Sequence, residues 1–133
     1  MSLQFSQIKE TCLYVKDLDA TAAFYQGGLG LPVIGRVEGR HIFFRAGSSV
    51  LLCFIAAATR QETNLPPHYA TGRQHIAFEC LPGEYEAWKH KLRQAHIDII
   101  HEASWNKGRF RSCYFHDPDG HVLEIVEPGM WGP

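Results

Sequence analysis

No stretch of this sequence approaches the roughly 18 consecutive apolar residues that a membrane span needs. Excess charge of either sign is missing too: 13 Lys and Arg stand against 14 Asp and Glu, a net charge of −1 with His neutral. So even a balance excludes a broad electrostatic footprint for nucleic acid or an anionic membrane. Cysteine is sparse, and the four present, Cys12, Cys53, Cys80 and Cys113, lie far apart in strand-like runs. Their spacing offers no CxxC metal motif and fits reduced, buried thiols. The N-terminal MSLQFSQIKE has neither the charged nor the apolar segment of a secretory signal, so a cytoplasmic location is expected. The sequence shows no glycine-rich phosphate loop, no Cys nucleophile beside a base and no Ser-His-Asp ordering.

What the chain does have is an ordinary share of apolar residues, 45% of 133, and it deploys them twice. KETCLYVKDLDATAAFY from Lys9 and QHIAFECLPGEYEAWKH from Gln74 share one pattern: a polar residue, an alternating strand, a short break and a helix. The first helix is expected from about Asp19 to Gln26, N-capped by Asp19 and stopped by Gly27-Gly28. The second is expected from about Gly83 to Ala95, with Tyr85, Trp88, Leu92 and Ala95 on one face. Three strand-like runs follow each helix: Leu31–Val37, Arg40–Ala46 and Ser49–Ile55, then Ile97–His101, Arg111–His116 and His121–Val126. Each half therefore reads β-α-β-β-β. The expected organisation is one α+β domain of two such modules, about 5–57 and 73–128, whose sheets line a shared cleft. The linker, about 58–72, contains Pro66-Pro67, which discourages helix.

Within YFHDPDGHVLEIVEP (114–128), Asp117-Pro118-Asp119-Gly120 is turn chemistry. The turn does not explain Glu124, a carboxylate set among Val122, Leu123, Ile125 and Val126. Such a group is costly unless paired, protonated or coordinated. Alternation along the strands places Glu10, Cys12 and Tyr14 on the inner face of the first module. It places His75, Ala77 and Glu79, with Val122, Glu124 and Val126, on the inner face of the second. Three metal-ligand side chains, Glu10, His75 and Glu124, thus share the inner surface. The repeat sets Leu52 in the slot equivalent to Glu124. A Glu₂His set leaves coordination positions open for a bidentate oxygen ligand and suits Mn, Fe, Ni or Zn. The plain alternative is a His75–Glu124 hydrogen bond with Glu10 solvated.

These segments, LYVKDLDATAAFYQGGLGL (13–31), QHIAFE (74–79) and YFHDPDGHVLEIVEP, resemble the vicinal oxygen chelate superfamily: glyoxalase I, extradiol dioxygenases, fosfomycin-resistance enzymes and bleomycin-binding proteins. The resemblance spans nearly the whole chain. It implies paired βαβββ modules, often in homodimers, holding a divalent ion that binds vicinal oxygens of a substrate. By position it assigns ligand places to Glu10, His75 and Glu124, and it matches Tyr114 to a substrate-contacting tyrosine. Two departures stand out. Glyoxalase I has a glutamate where this chain has Leu52, which argues against lactoylglutathione lyase activity. The dioxygenases and fosfomycin transferases use two His and one Glu, and this chain offers the reverse.

The expected function is a metal-dependent enzyme acting on a small oxygen-bearing substrate as lyase, isomerase, dioxygenase or thiol transferase. Tyr114 is the catalytic candidate; Tyr14, Leu52, Arg109 and Arg111 are the substrate-binding candidates. The alternatives are a metal-free, bleomycin-resistance-like binding protein and a fosfomycin-resistance-type transferase. His116 and His121 read as edges of the turn, and His101 carries no assignment. Met130 and Trp131 are expected to pack on a partner subunit or cap the cleft.

Overall fold

A computed structural model describes residues 2–63 and 67–132; of the two linker prolines, Pro66 lies outside the described residues. The fold is α+β. Its strands are β1 (Glu10–Val15), β2 (Val33–Val37), β3 (His41–Ala46), β4 (Ser49–Ile55), β5 (His75–Glu79), β6 (His101–Trp105), β7 (Phe110–His116) and β8 (Val122–Val126). The helices are α1 (Leu18–Ala22), which continues as a π-helical segment Ala23–Gly28, then α2 (Ala56–Thr59) and α3 (Tyr85–Gln94). Two four-stranded sheets form, ordered β1-β4-β3-β2 and β5-β8-β7-β6. The chain divides into two compact units, residues 1–71 and 72–133. No helix among the described residues is long and apolar enough to cross a membrane.

In the first unit the chain leaves β1 and enters α1 through Asp17, whose carboxylate accepts the Ala20 N–H at 3.0 Å. This corrects the expected cap, Asp19, which instead forms an ion pair with Arg36 at 2.7 Å. Gly27 and Gly28 do not stop the helix either. They lie inside the π-helical segment, and the chain turns at Gly30, whose φ of 77° suits glycine. The helical segment lays Leu18, Thr21 and Tyr25 on one face of the sheet, and Tyr25 meets Phe44 at a centroid distance of 5.4 Å. Leu13, Ile42, Leu51 and Cys53 complete this buried layer, as period-2 alternation requires. Burying each large apolar side chain contributes about 1.5–3 kcal/mol. The four-residue α2 falls at the end of β4, at the edge of the stretch expected to be linker.

In the second unit α3 buries Tyr85 and Leu92 against Cys113, Phe115, Leu123 and Ile125. It ends in a Schellman motif: Ile97 N–H bonds Leu92 O at 2.9 Å, and His96 takes the left-handed conformation with φ 59°. That exit carries the chain away before pairing begins. The sixth strand is therefore His101–Trp105 and not the expected Ile97–His101. A hairpin at Asn106–Arg109, with positive φ at Asn106, Lys107 and Gly108, leads into β7. None of the four cysteines is in a disulfide.

Both sheets share one register. The first and last strands of each unit run parallel: Glu10 pairs with Val50 and Cys12 with Leu52, while His75 pairs with Val122 and Ala77 with Glu124. In the antiparallel pairs Leu52 stands opposite Phe43, and Glu124 opposite Tyr114. Leu52 and Glu124 therefore hold equivalent slots.

The turn between β7 and β8 is built on Asp117, only 5% exposed. Its Oδ1 accepts the N–H groups of Asp119 and His121, both at 2.9 Å, and its carbonyl accepts the Gly120 N–H at 3.0 Å. Next to it the buried His121 accepts the Gln74 N–H on Nδ1 at 3.0 Å, tying the start of β5 to the start of β8. Asp117→Ala leaves two N–H groups without their anionic acceptor and is expected to cost about 3 kcal/mol in urea unfolding. Asp117→Asn, which keeps one oxygen in place, should cost clearly less. A cost for the alanine variant near zero is the outcome that contradicts this role.

Candidate functional site

Parity along β7 and β8 sorts the second sheet into two faces. Arg111, Cys113 and Phe115, with Leu123 and Ile125, turn toward α3, and the Arg111 guanidinium lies 4.5 Å from the Tyr85 ring centroid. Ser112, Tyr114 and His116, with Val122, Glu124 and Val126, occupy the opposite face. His75 is on that face as well, beside Val122 in the parallel pair.

His75 is held by its backbone surroundings. Its Nδ1 lies 2.8 Å from the Val122 carbonyl oxygen. A carbonyl only accepts, so Nδ1 carries the proton and Nε2 presents its lone pair when the ring is neutral. Nε2 stands 3.3 Å from Glu124 Oε1; the imidazole is half exposed, whereas the carboxylate side chain is 8% exposed. A charge-assisted hydrogen bond between these groups would be shorter, about 2.8 Å. Two neighbouring ligand atoms bonded to one ion at about 2.1 Å stand about 3 Å apart. An outer hydrogen bond from the second ring nitrogen to a carbonyl is the usual orienting device of a metal-ligating His. The donor pair therefore fits a divalent ion, with imidazole nitrogen and carboxylate oxygen on one side of it.

Tyr114 lies directly across from Glu124, and its ring centroid is 6.2 Å from that of His75. Burial foremost pushes its phenol above the ordinary value; Ser112 partly offsets this, and the Glu124 carboxylate raises it further. The hydroxyl is thus protonated at neutral pH and available as a donor. On its other side, His101 of β6 pairs with Tyr114, with ring centroids 5.6 Å apart.

The other expected site residues are placed as follows. Glu10 is exposed at the start of β1 in the first unit. Among the described residues no group of three or more His, Cys, Asp or Glu side chains is arranged to hold one ion. The His75–Glu124 pair is the part of the expected ligand set that a single unit carries. Leu52, 8% exposed, and Tyr14 are on the face of the first sheet away from α1, where Tyr14 stacks near Phe54 at 6.4 Å. Phe54 also gathers Phe43, His41 and His68, the last in parallel stacking at 4.2 Å. Arg109 sits in the exposed hairpin, 5.5 Å from the Phe110 ring. Arg111, also a substrate-binding candidate, faces α3 and is engaged by Glu86 at 2.7 Å and Glu127 at 3.0 Å. Burial pushes the Cys12, Cys80 and Cys113 thiols up, so none is poised as a nucleophile.

Two residues of this face, His101 and His116, carried no site role in the sequence reading. The signal for His116 was its even spacing from Tyr114. For His101 it was the β6–β7 register, which depends on where the chain exits α3.

Residues 7–125 match the family model described as the Glyoxalase/Bleomycin resistance protein/Dioxygenase superfamily. The chain belongs to this superfamily. A relative of this superfamily member, the metallothiol transferase FosB of Staphylococcus epidermidis, is 26% identical over 126 residues, covering 92% of this chain and 82% of FosB. Glutathione transferase FosA of Serratia marcescens is 31% identical over 113 residues, covering 85% and 74%. The crystal structure of a lactoylglutathione lyase from Agrobacterium tumefaciens superposes with a TM-score of 0.89 at 33% identity, over 97% of this chain and 98% of that one.

Two outcomes follow from the geometry. Since the equivalent slot already accepts Leu52, Glu124→Leu should hold or raise the melting temperature of the metal-free protein while abolishing any rise on adding zinc. A variant that melts far lower without metal would show Glu124 to be a structural partner instead. On the α3 face, bonds from Arg111 hold the Glu127 carboxyl below its ordinary value. Its contribution is complete above the ordinary carboxylate range and is lost as pH falls through the depressed value. The stability gap between wild type and Arg111→Met should therefore narrow on acidification, measured by urea unfolding across that range. A gap independent of pH contradicts the pairing.

Proposed function

We propose that this superfamily member is a divalent-metal enzyme that acts on a small oxygen-bearing substrate, with His75 and Glu124 as ligands. The observation that carries the reading is the setting of His75, whose Nδ1 is fixed on the Val122 carbonyl while Nε2 faces the buried Glu124 at 3.3 Å. When bound, Mn, Fe, Ni or Zn supplies a Lewis acid that polarises substrate oxygens. The protein's own groups do the rest. Glu124 and His75 orient the reacting end, and the protonated Tyr114 phenol donates to a substrate oxygen and holds it over the sheet.

Among the reactions open to such a site, thiol transfer has the best support, because FosB and FosA are both named as thiol-using transferases. The lyase structure at 33% identity points to the same class of thiol-linked substrates. Leu52, where the glyoxalase pattern has a glutamate, favours transfer over the lyase reaction. A second reading, metal-free binding of a small molecule, is favoured by one observation: no three-ligand group forms among the described residues. The solvent exposure of Leu3, Phe5 and Ile8, and of Trp131 at 87%, supports a homodimer in which a second copy covers them. Four cysteines outside any disulfide suit a reducing compartment, and the cytoplasm is the proposed location.

Elemental analysis of protein purified without an affinity tag or chelator tests the metal reading. Wild type should carry near-stoichiometric metal, and Glu124→Ala and His75→Ala should each retain less than about a tenth of it. Wild type that stays metal-free after reconstitution with Mn, Fe, Ni and Zn overturns the enzyme reading and leaves the binding protein.

A further inference from the structure

The chain enters β1 through an arm that its own fold leaves uncovered. Leu3 and Phe5 are each 101% exposed, as in an isolated extended chain, and Ile8 is 82% exposed. Residues 2–6 make no hydrogen bond, ion pair or ring contact among the described residues. The root of the arm is fastened: Lys9 O accepts the Val50 N–H at 2.8 Å, and Gln7 Oε1 accepts the Ser48 hydroxyl at 3.0 Å. Beyond that root Leu3 and Phe5 alternate with Gln4 and Ser6, the pattern of a strand with one apolar face. No charged side chain lies between Ser2 and Gln7, so this stretch can be covered without burying an ion.

The second unit holds a matching edge. Between α3 and β6 the chain runs along an open groove of about 550 Å³, lined by Arg93, Ile97, Asp98, Ile99, Ile100 and His101. Ile97 N–H bonds Leu92 O and Ile100 N–H bonds Tyr114 O, whereas Asp98 and Ile99 form no backbone hydrogen bond among the described residues. β6, which follows, is an outer strand of its sheet. Ile97 and Ile99 are half-buried on either side of the exposed Asp98, and Ile100 is half exposed. Unpaired backbone beside alternating apolar side chains is where an extended segment adds as a further strand. The outer edge at β2 suits addition less, because its ladder shifts register between Val33 and Gly35.

We propose that the arm of one copy adds as a strand along residues 97–100 of a second copy, reciprocally, with Leu3 and Phe5 packed on Ile97, Ile99 and Ile100. This rests on the proposed homodimer and names the surface that holds it together. An extended arm of six residues exposes about 1,000 Å². Burying half of each arm with an equal area of groove, twice over, removes about 2,000 Å² from water, enough for a stable and specific interface. The groove ends at His101, whose ring stands 5.6 Å from that of Tyr114, so the added strand borders the face that carries the proposed site.

The test places a photo-cross-linker in the arm as Phe5→p-benzoylphenylalanine and irradiates an equal mixture of ¹⁴N and ¹⁵N protein. Mass spectrometry of the digest should find the arm joined to the segment 93–102 in peptides of mixed isotope. Sedimentation should show a dimer whose dissociation constant rises about tenfold or more in the double variant Leu3→Ser, Phe5→Ser, with its circular dichroism unchanged. Amide exchange at Asp98 and Ile99 should be slow in the wild-type dimer and fast in the double variant. A wild type that sediments as a monomer overturns the homodimer and the exchange together. A dimer that keeps its affinity in the double variant, or whose cross-links stay within one chain or reach another segment, overturns the exchange alone.

Discussion

The parallel pairing of β5 with β8 is the constraint from which the site follows. His75 and Val122 are 47 positions apart, yet one accepts a place beside the other in a ladder that requires a crossover connection. The crossover is α3 with β6 and β7, and the pairing brings a histidine from one end of the unit to a glutamate from the other. Val122 O then orients the imidazole that its own strand has placed. A parallel pair of this kind is buried toward the helix, which fixes Leu123 and Ile125 inward and leaves Glu124 no choice of face.

The same architecture occurs twice with different contents. In the first unit the slots corresponding to His75, Glu124 and Tyr114 hold Glu10, Leu52 and Phe43. The physical outcome is a contrast between two otherwise equivalent faces. One surrounds Phe54 with Phe43, His41, His68 and Tyr14 and is stabilised by ring packing. The other keeps a buried carboxylate, an oriented imidazole and a protonated phenol. Packing alone gives no reason for the second set, which is why chemistry is the economical explanation for it.

Most of the fold was legible in the sequence because it depends on patterns a chain declares locally. Leu13 and Val15, or Leu123 and Ile125, alternate with polar neighbours, and the repetition of that pattern announces the second unit. The repeat alone placed Leu52 against Glu124, and the register agrees. What escaped depends on geometry that no local pattern encodes. The sequence pointed to Asp19 as the cap, but Asp19 is engaged by Arg36 across the unit and Asp17 takes the capping bond. The left-handed His96 delays β6, a position where glycine would have been the readable signal. The side of the sheet that Arg111 takes is set by parity with Cys113 and not by the loop before it. Even spacing from Tyr114 places His116 on the same face, but that its Nδ1 finds no partner among the described residues is something only coordinates reveal.

The Asp117 turn has a consequence for how such a chain can change over evolutionary time. With its carboxylate gripping two backbone N–H groups and His121 fastened to Gln74, the start of β8 has no slack. One residue inserted or removed between Asp117 and His121 would rotate Leu123 outward and Glu124 into the apolar layer, erasing the site in a single step. The hairpin at Asn106–Arg109 is under no such restraint and can lengthen or shorten freely. A lineage built on this plan therefore diversifies by exchanging the residue at a fixed address and by redrawing its loops, while the addresses themselves stay where they are.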